Sequence, residues 1–386
     1  MWTARVEGGP CCTNHAAVAI SDEVYSFGGY CAEEMNTMRR PMDVHVLNTG
    51  SLRWTLIPVQ SNLENVPFQR YGHTVVAYGE HAYLWGGRNE DGACSILYRF
   101  DTASLTWLRP RTTGETPGAR EGHSSCVLGS RMYVFGGRED EADRISQDVH
   151  VLDLDTMHWR FLATRGNAPE WRSFHSAVAI GRRMYVWGGR RGSADTQEEA
   201  AYCDRLAYLD TTNGAWVHPV TKGTMPLGRC SHAAFVYKGE MYVFGGYNGL
   251  LGTFFGDMYK YSPECSQWTQ VKLLRKGPCA RRGHRCCLIG NRLFLFGGTS
   301  AFPEDAMPPR ADRLPHGHQP PPRRKQVGDQ LHDVEEHHVE SACLPVNYDA
   351  SSRARCCIKE RRRFSYAKYK ILLLCLSGHH NIFFLL

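Results

Sequence analysis

The sequence predicts an all-β fold in which six repeated antiparallel sheets close into a ring, and three observations carry that expectation. First, a histidine followed 13 residues later by a Gly-Gly pair, itself preceded by Phe or Trp, occurs six times. The six are His15 with Phe27-Gly28-Gly29, His73 with Trp85-Gly86-Gly87, His123 with Phe135-Gly136-Gly137, His175 with Trp187-Gly188-Gly189, His232 with Phe244-Gly245-Gly246, and His284 with Phe296-Gly297-Gly298. Second, the glycine pairs recur at intervals of 58, 50, 52, 57 and 52 residues. Third, a tryptophan (Trp54, Trp107, Trp159, Trp216, Trp268) opens a further β-like run after each of the first five pairs.

Each repeat resolves into four elements. Runs such as Met132-Tyr-Val-Phe135 and Met241-Tyr-Val-Phe244 suit a second strand covered on both faces. The glycine pair ends that strand where the chain must turn and another backbone approaches. A third strand follows, for example Asp148-Val-His-Val-Leu-Asp-Leu-Asp155, and the tryptophan opens the fourth. Length varies between Gly-Gly and the third strand, where a loop absorbs it. One such sheet cannot bury both faces, but a ring of them can. The pattern is the kelch motif, and it implies a six-bladed kelch β-propeller over residues 1–300.

The N-terminal run Met1-Trp-Thr-Ala-Arg-Val-Glu7 echoes Leu52-Arg-Trp-Thr-Leu56, and the sixth repeat has no tryptophan of its own after Gly298. The N-terminal strand, with Trp2, is therefore expected to complete blade six. Residues 301–386 are expected to form an irregular tail rich in Pro, His and basic residues, with Leu331-His-Asp-Val334 as the candidate third strand of blade six. The apolar runs at 371–376 and 382–386 are separated by Ser377-Gly-His-His-Asn381. Each is far shorter than the roughly 18 residues of a membrane span, so no membrane insertion is expected.

Composition narrows the class. Of 386 residues, 42% are hydrophobic and 22% charged, too apolar for a mainly disordered chain. The net charge of +6 is too modest to call for a nucleic-acid partner. The 15 cysteines are odd in number and show no C-x-x-C spacing, which argues against a secreted disulfide framework or a zinc module. The N-terminus lacks an apolar signal core. A cytoplasmic protein, also nuclear, without cofactor or metal, is the expectation. A histidine used once per blade points to a buried hydrogen bond rather than a metal ligand. No Gly-x-Ser-x-Gly, Gly-x-Gly-x-x-Gly or His-Glu-x-x-His signature argues for an enzyme.

The candidate binding residues come from columns of the repeat. Three residues before the histidine stand Arg70, Arg120, Arg172, Arg229 and Arg281, with Cys12 in the first repeat. Directly after the glycine pair stand Arg88, Arg138 and Arg190, with Tyr30, Tyr247 and Thr299 in the others. Around a pseudo-axis these can aim guanidinium groups at one place, and Arg forks suit a carboxylate or phosphate. Trp171, Phe174 and Tyr247 can pack an extended peptide beside them. The alternative is that the arginines before the histidine only hydrogen-bond blade loops.

The stretches Glu7-Gly-Gly-Pro10, Asn14-His-Ala-Ala-Val-Ala19, Tyr25-Ser-Phe-Gly-Gly-Tyr-Cys31, Arg70-Tyr-Gly-His73, Leu84-Trp-Gly-Gly-Arg-Asn89, Pro117-Gly-Ala-Arg120, Phe174-His-Ser-Ala177 and Phe244-Gly-Gly-Tyr-Asn248 go beyond the bare repeat. They resemble the kelch-repeat substrate receptors of cullin-2 RING ubiquitin ligases, over residues 2–300. The resemblance implies a non-catalytic adaptor that reads C-terminal degrons ending in glycine and assembles with Elongin B/C and cullin-2. It implies that Arg190 holds the peptide α-carboxylate with a serine that falls at Cys230, beside Ser231. The peptide C-terminus is thus expected at Arg190, Arg229, Ser231, Arg138, Arg88, Arg172 and Tyr247. The family's recruitment box has the form Leu-x-x-x-Cys followed by Leu-Pro-x-x-Ile. Here Ile371-Leu-Leu-Leu-Cys375 has the spacing but begins with isoleucine, and Leu344-Pro-Val-Asn-Tyr348 departs at its last position. The competing expectation is an interaction scaffold without ligase attachment, chromatin-associated and meiotic, since the kelch half of the V(D)J recombination protein shares the architecture.

Overall fold

The computed structural model describes residues 3–5, 9–31, 40–192, 201–272, 277–301, 364–366 and 371–375. The chain divides into a unit of Met1–Ala301 with Ser365–Leu386 and a unit of Phe302–Phe364, and nearly all of the described residues belong to the first. The fold is all-β: one short 3₁₀ turn, Leu63–Asn65, is its only helical element among the described residues.

Each repeat builds one antiparallel sheet in simple up-and-down order. The third is typical: Ser124–Leu128 pairs with Arg131–Phe135, which pairs with Val149–Asp153, which pairs with His158–Phe161. Its second strand is buried from Met132 to Phe135, as a strand covered on both faces must be, and so reads as an unbroken apolar run. The third strand alternates more, because one end of it approaches solvent. In two repeats the linker adds an outer parallel strand, Thr113–Gly114 on His158–Phe161 and Lys222–Gly223 on Gln267–Val271, which covers an edge otherwise open to pairing.

The sixth sheet corrects one expectation and extends another. Its order is Arg282–Ile289, Arg292–Ala301, Ile371–Cys375, Thr3–Arg5. The third strand is therefore Ile371–Cys375, not Leu331-His-Asp-Val334, which lies outside the described residues. Of the apolar 371–376 run, Ile371–Cys375 is used for pairing inside the sheet. The fourth strand comes from the other end of the chain, with Thr3 opposite Leu373 and Arg5 opposite Ile371. Trp2 lies outside the described residues.

Hydrophobic clusters join each sheet to the next. The first and second meet through Phe27, Phe100 and Trp107, the second and third through Trp85, Met132 and Trp159. Phe135, Met184 and Trp216 join the third to the fourth, Trp187, Met241 and Trp268 the fourth to the fifth, and Phe244, Leu293 and Leu295 the fifth to the sixth. The sixth packs back on the first through Phe296, Phe294, Val24 and Trp54. In five of these seams the repeat tryptophan meets the aromatic that precedes the neighbouring Gly-Gly. The ring centroids lie 5.6 Å apart for Phe27–Trp107, Trp85–Trp159 and Trp187–Trp268, 5.1 Å for Phe135–Trp216 and 5.0 Å for Trp54–Phe296. Each such pair adds about 0.5–1.5 kcal/mol beyond the area it buries.

The glycine pair serves the same seams. A Cβ on the first glycine would meet the histidine of the next repeat: His175 Cε1 at 2.9 Å from Gly136, His284 Cε1 at 2.7 Å from Gly245, and His15 Cε1 at 2.5 Å from Gly297. A Cβ on the second would meet the histidine of its own repeat, as at Gly137, 2.8 Å from His123 Cβ. The histidines themselves are buried, at most 7% exposed. His73 Nε2 donates to Phe27 O at 3.1 Å, while His123, His175 and His232 share Nε2 hydrogen bonds with the Thr74, Ser124 and Ser176 hydroxyls at 2.8, 2.7 and 2.8 Å. The expected buried hydrogen bond is present in these four, and in each case it crosses a seam.

One residue before each histidine, the backbone forms a closed cycle. Asn14 N donates to Gly283 O, Gly283 N to Ser231 O, Ser231 N to Phe174 O, Phe174 N to Gly122 O, Gly122 N to Gly72 O, and Gly72 N to Asn14 O, all within 2.7–3.0 Å. All six residues have positive φ. Three glycines take that conformation at no steric cost, whereas Asn14, Phe174 and Ser231, at φ 53°, 54° and 54°, hold it against one.

Candidate functional site: the mouth above the hydrogen-bond cycle

Six two-residue pairings surround this cycle. The residue after each glycine pair lies opposite the residue two before the histidine: Tyr30 with Thr13, Arg88 with Tyr71, Arg138 with Glu121, Arg190 with Ser173, Tyr247 with Cys230, Thr299 with Arg282. Each residue of the post-glycine column is thus held beside the cycle by its own short pairing.

The two arginine columns part company here. Arg70, Arg120, Arg172, Arg229 and Arg281 are at most 4% exposed, and all five make the same clamp. Nε donates to the carbonyl two residues earlier, at 3.0 Å for Arg120 and 2.9 Å for Arg172 and Arg229. Nη1 donates to the carbonyl of the first glycine of the same repeat, at 3.1 Å for Arg120 and Arg172 and 3.2 Å for Arg229. Arg229 is further held by both oxygens of Asp257 and lies over the Phe255 ring at 3.6 Å. Of the proposed carboxylate binders, then, Arg172 and Arg229 are engaged with the framework, which is the alternative the sequence left open. In the first repeat the position belongs to Cys12, which is disulfide-bonded to Cys31, two residues after Gly29. The equivalent pair in the third repeat is Arg120 with Glu139, Nη2 to Oε1 at 2.5 Å. A covalent bond replaces an ion pair at the same place in the fold.

Arg88, Arg138 and Arg190 stand at the mouth. Arg88 pairs with Asp140 at 2.6 Å and lies 3.9 Å from Glu121, and Arg138 pairs with Asp143 at 2.6 Å. Glu121 sits among all three arginines; burial pushes its carboxyl upward while Arg88, Arg190 and Arg138 pull it back. Arg190 differs. Its guanidinium lies over the Phe174 ring at 5.5 Å, its Nε is buried without an acceptor, and among the described residues no carboxylate lies within ion-pair distance of it, Glu121 acting on it only from further off. Beside it are Ser231, whose backbone N donates to Phe174 O at 2.8 Å, and Cys230, whose thiol burial raises against the pull of Arg190 and Arg282. Tyr247 closes that side, its ring tilted against Phe254 at 4.7 Å and covered by the Arg282 guanidinium at 4.6 Å.

Arg190, Ser231 and Tyr247 are thus brought together, with Arg88 and Arg138 across the mouth and Arg172 and Arg229 beneath in the framework. Glu121 and Arg282 were missed from the sequence. Their signal was the column two before the histidine, which reads as unrelated residues until the register shows it facing the post-glycine column. Among the described residues no group of His, Cys, Asp and Glu is arranged to hold a metal ion, and no helix is long and apolar enough to cross a membrane.

A family model described as the KLHDC2/KLHL20/DRC7 Kelch-repeats domain matches residues 72–298. The chain belongs to the kelch-repeat family. It is similar to Kelch domain-containing protein 3 of Homo sapiens and of Rattus norvegicus, each 46% identical over 323 residues that cover 82% of this chain and 85% of the relative. More distantly it resembles Host cell factor 1 of Homo sapiens, 30% identical over 249 residues, 60% of this chain and 12% of that protein. The kelch-repeat resemblance is borne out, and neither name is that of an enzyme. Kelch repeats make protein-interaction surfaces.

Proposed function

We propose that the six sheets are the blades of a closed propeller whose mouth binds the C-terminus of a partner polypeptide, and that the protein is the substrate-recognition subunit of a cullin-2 RING ubiquitin ligase. Closure is supported by the cycle of six hydrogen bonds and by the Trp54–Phe296 seam between the last repeat and the first. Peptide recognition rests on one observation above all: Arg190, a mouth guanidinium with a buried Nε and no carboxylate partner among the described residues, set over an aromatic ring and beside a serine. A free α-carboxylate supplies the missing charge and two acceptors, and a terminal glycine passes where the backbone cycle narrows the entrance.

Truncating one partner of a desolvated charge pair costs about 2–5 kcal/mol, or thirty-fold and more in affinity. A peptide ending in Gly-COOH is therefore expected to bind the full chain in a fluorescence-polarisation titration, with its C-terminal amide and the Arg190→Ala variant each at least about thirty-fold weaker. Equal affinity for acid and amide would remove the reading.

A second reading, the scaffold without ligase attachment, is favoured by the sixth sheet. Ile371-Leu-Leu-Leu-Cys375, the segment with the spacing of a recruitment box, is paired between Arg292–Ala301 and Thr3–Arg5. Co-purification with Elongin C and cullin-2 decides between the two readings, and a chromatin partner in place of the ligase subunits is the expected finding under the second.

A further inference from the structure

The five clamp arginines provide an internal comparison. Beyond the two carbonyls, Arg120 meets Glu139, Arg229 meets Asp257, Arg281 donates Nη2 to Cys279 Sγ at 2.9 Å, and Arg70 lies over the Tyr98 ring at 5.5 Å. Arg172 has no such third partner among the described residues, although it is only 3% exposed. Instead it lines a cavity of about 580 Å³ with Arg191, Cys203, Arg205 and His218. Successive strand residues face opposite sides, so Arg191 turns away from the mouth that Arg190 faces.

Among the described residues no acid at this cavity forms an ion pair with Arg172, although the Glu170 charge supports it from further off. Glu170 pairs with Arg191 at 2.6 Å, and Asp204 stands beside Arg205 in the wall. Cys203 is not a counter-charge, because burial raises its thiol in spite of both neighbouring guanidinium groups. His218 donates Nε2–H to Asn167 O at 2.9 Å, which fixes its ring in the wall. Burial lowers the pKa of Arg172; Cys203 and Glu170 oppose that shift, and Arg191 adds to it.

We propose that this cavity, separate from the mouth, binds a phosphoryl group, with the remaining Arg172 nitrogen as its inner donor and Arg191 and Arg205 flanking it. Arginine forks match phosphate oxygens in geometry as well as charge. The volume lies within the range of ligand sites and exceeds the needs of a bare ion, leaving room for a phosphorylated side chain.

The test uses the full chain, a fluorescein-labelled phosphoserine peptide, its unphosphorylated serine form, and inorganic phosphate followed by calorimetry. The phosphoserine peptide is expected to bind at least about tenfold more tightly than the serine form, with inorganic phosphate displacing it. Because Arg172 also holds two carbonyls, Arg205→Ala and Arg191→Ala carry the comparison, each weakening binding by about tenfold, while Arg190→Ala leaves it unchanged. Calorimetric binding of inorganic phosphate, lost in the same two variants but without peptide binding, assigns the site to the free ion. Equal binding of both peptides with no heat from phosphate, or loss on Arg190→Ala and not on Arg205→Ala, overturns the proposal. The last result would place the phosphoryl group in the mouth, and it leaves the acid-against-amide comparison to judge the C-terminus reading separately.

Discussion

Replacing Gly136 by alanine isolates what a glycine pair does for the seam between neighbouring sheets. Gly136 has φ +67°, and a Cβ there would lie 2.9 Å from Arg172 O and 2.9 Å from His175 Cε1. Neither neighbour yields easily: the carbonyl is backbone, and His175 is held by the Ser124 hydroxyl at 2.7 Å. Gly129, in a turn of the same sheet, has nearly the same φ, +63°, and nothing within 4 Å of its Cβ position. Both substitutions cost about 1–2 kcal/mol for the left-handed backbone. Only Gly136→Ala adds an overpacking cost of about 1–3 kcal/mol. The expected losses are thus about 1–2 kcal/mol for Gly129→Ala and about 2–5 kcal/mol for Gly136→Ala, against a total stability of about 5–15 kcal/mol. Urea unfolding of the two full-length variants, followed by tryptophan fluorescence, measures the difference. If the two lose the same stability, the glycine pair does no more than turn the chain, and the seam argument fails.

Acid should destabilise the fold from near neutrality. Burial pushes His123 and His232 down to about 3, far below their unfolded value, so their contribution is full above pH 6.5 and is lost as pH falls toward 3. Each is expected to cost on the order of 2 kcal/mol by pH 5, read as a falling urea midpoint between pH 7.5 and 5; a flat midpoint over that range contradicts neutral burial. Reducing the Cys12–Cys31 disulfide, which spans 19 residues, should lower stability by about 3 kcal/mol, and Cys31→Ser should make the protein insensitive to reductant. A chain ending at Ala301 loses Ile371–Cys375 and leaves Thr3–Arg5 without its partner strand. Its melting temperature should fall as far as that of a chain lacking residues 1–8, and unchanged melting in both would show that the sixth sheet does not need its outer strands.

The repeat was legible because each of its signals has a single physical cause. His123, Phe135, Gly136 and Trp159 recur because a seam needs a buried hydrogen bond, an aromatic, a residue without Cβ and a second aromatic at fixed places. The N-terminal strand of the sixth sheet was legible for the same reason, since Met1-Trp-Thr-Ala-Arg-Val-Glu7 resembles the fourth strand of other repeats. The third strand of that sheet was not. Its partner, Arg292–Ala301, is distant in sequence, and an apolar run such as Ile371-Leu-Leu-Leu-Cys375 carries no mark of the register it will adopt. The site was legible by column but not by role. Arg172 and Arg190 look alike in sequence, and only burial and the available carbonyls separate a clamp from a mouth residue.

By itself, then, the sequence determined the all-β class, the six repeats, the residues at their seams and the family, because these depend on spacing along the chain. Tertiary structure alone decided which arginines face an open mouth, that Cys12 and Cys31 stand where Arg120 and Glu139 stand two repeats later, and that Arg172 lines a cavity without an ion-pair partner of its own among the described residues. Those outcomes depend on what lies across a seam from each side chain, and the neighbour across a seam is some fifty residues distant in sequence, where local pattern has no reach.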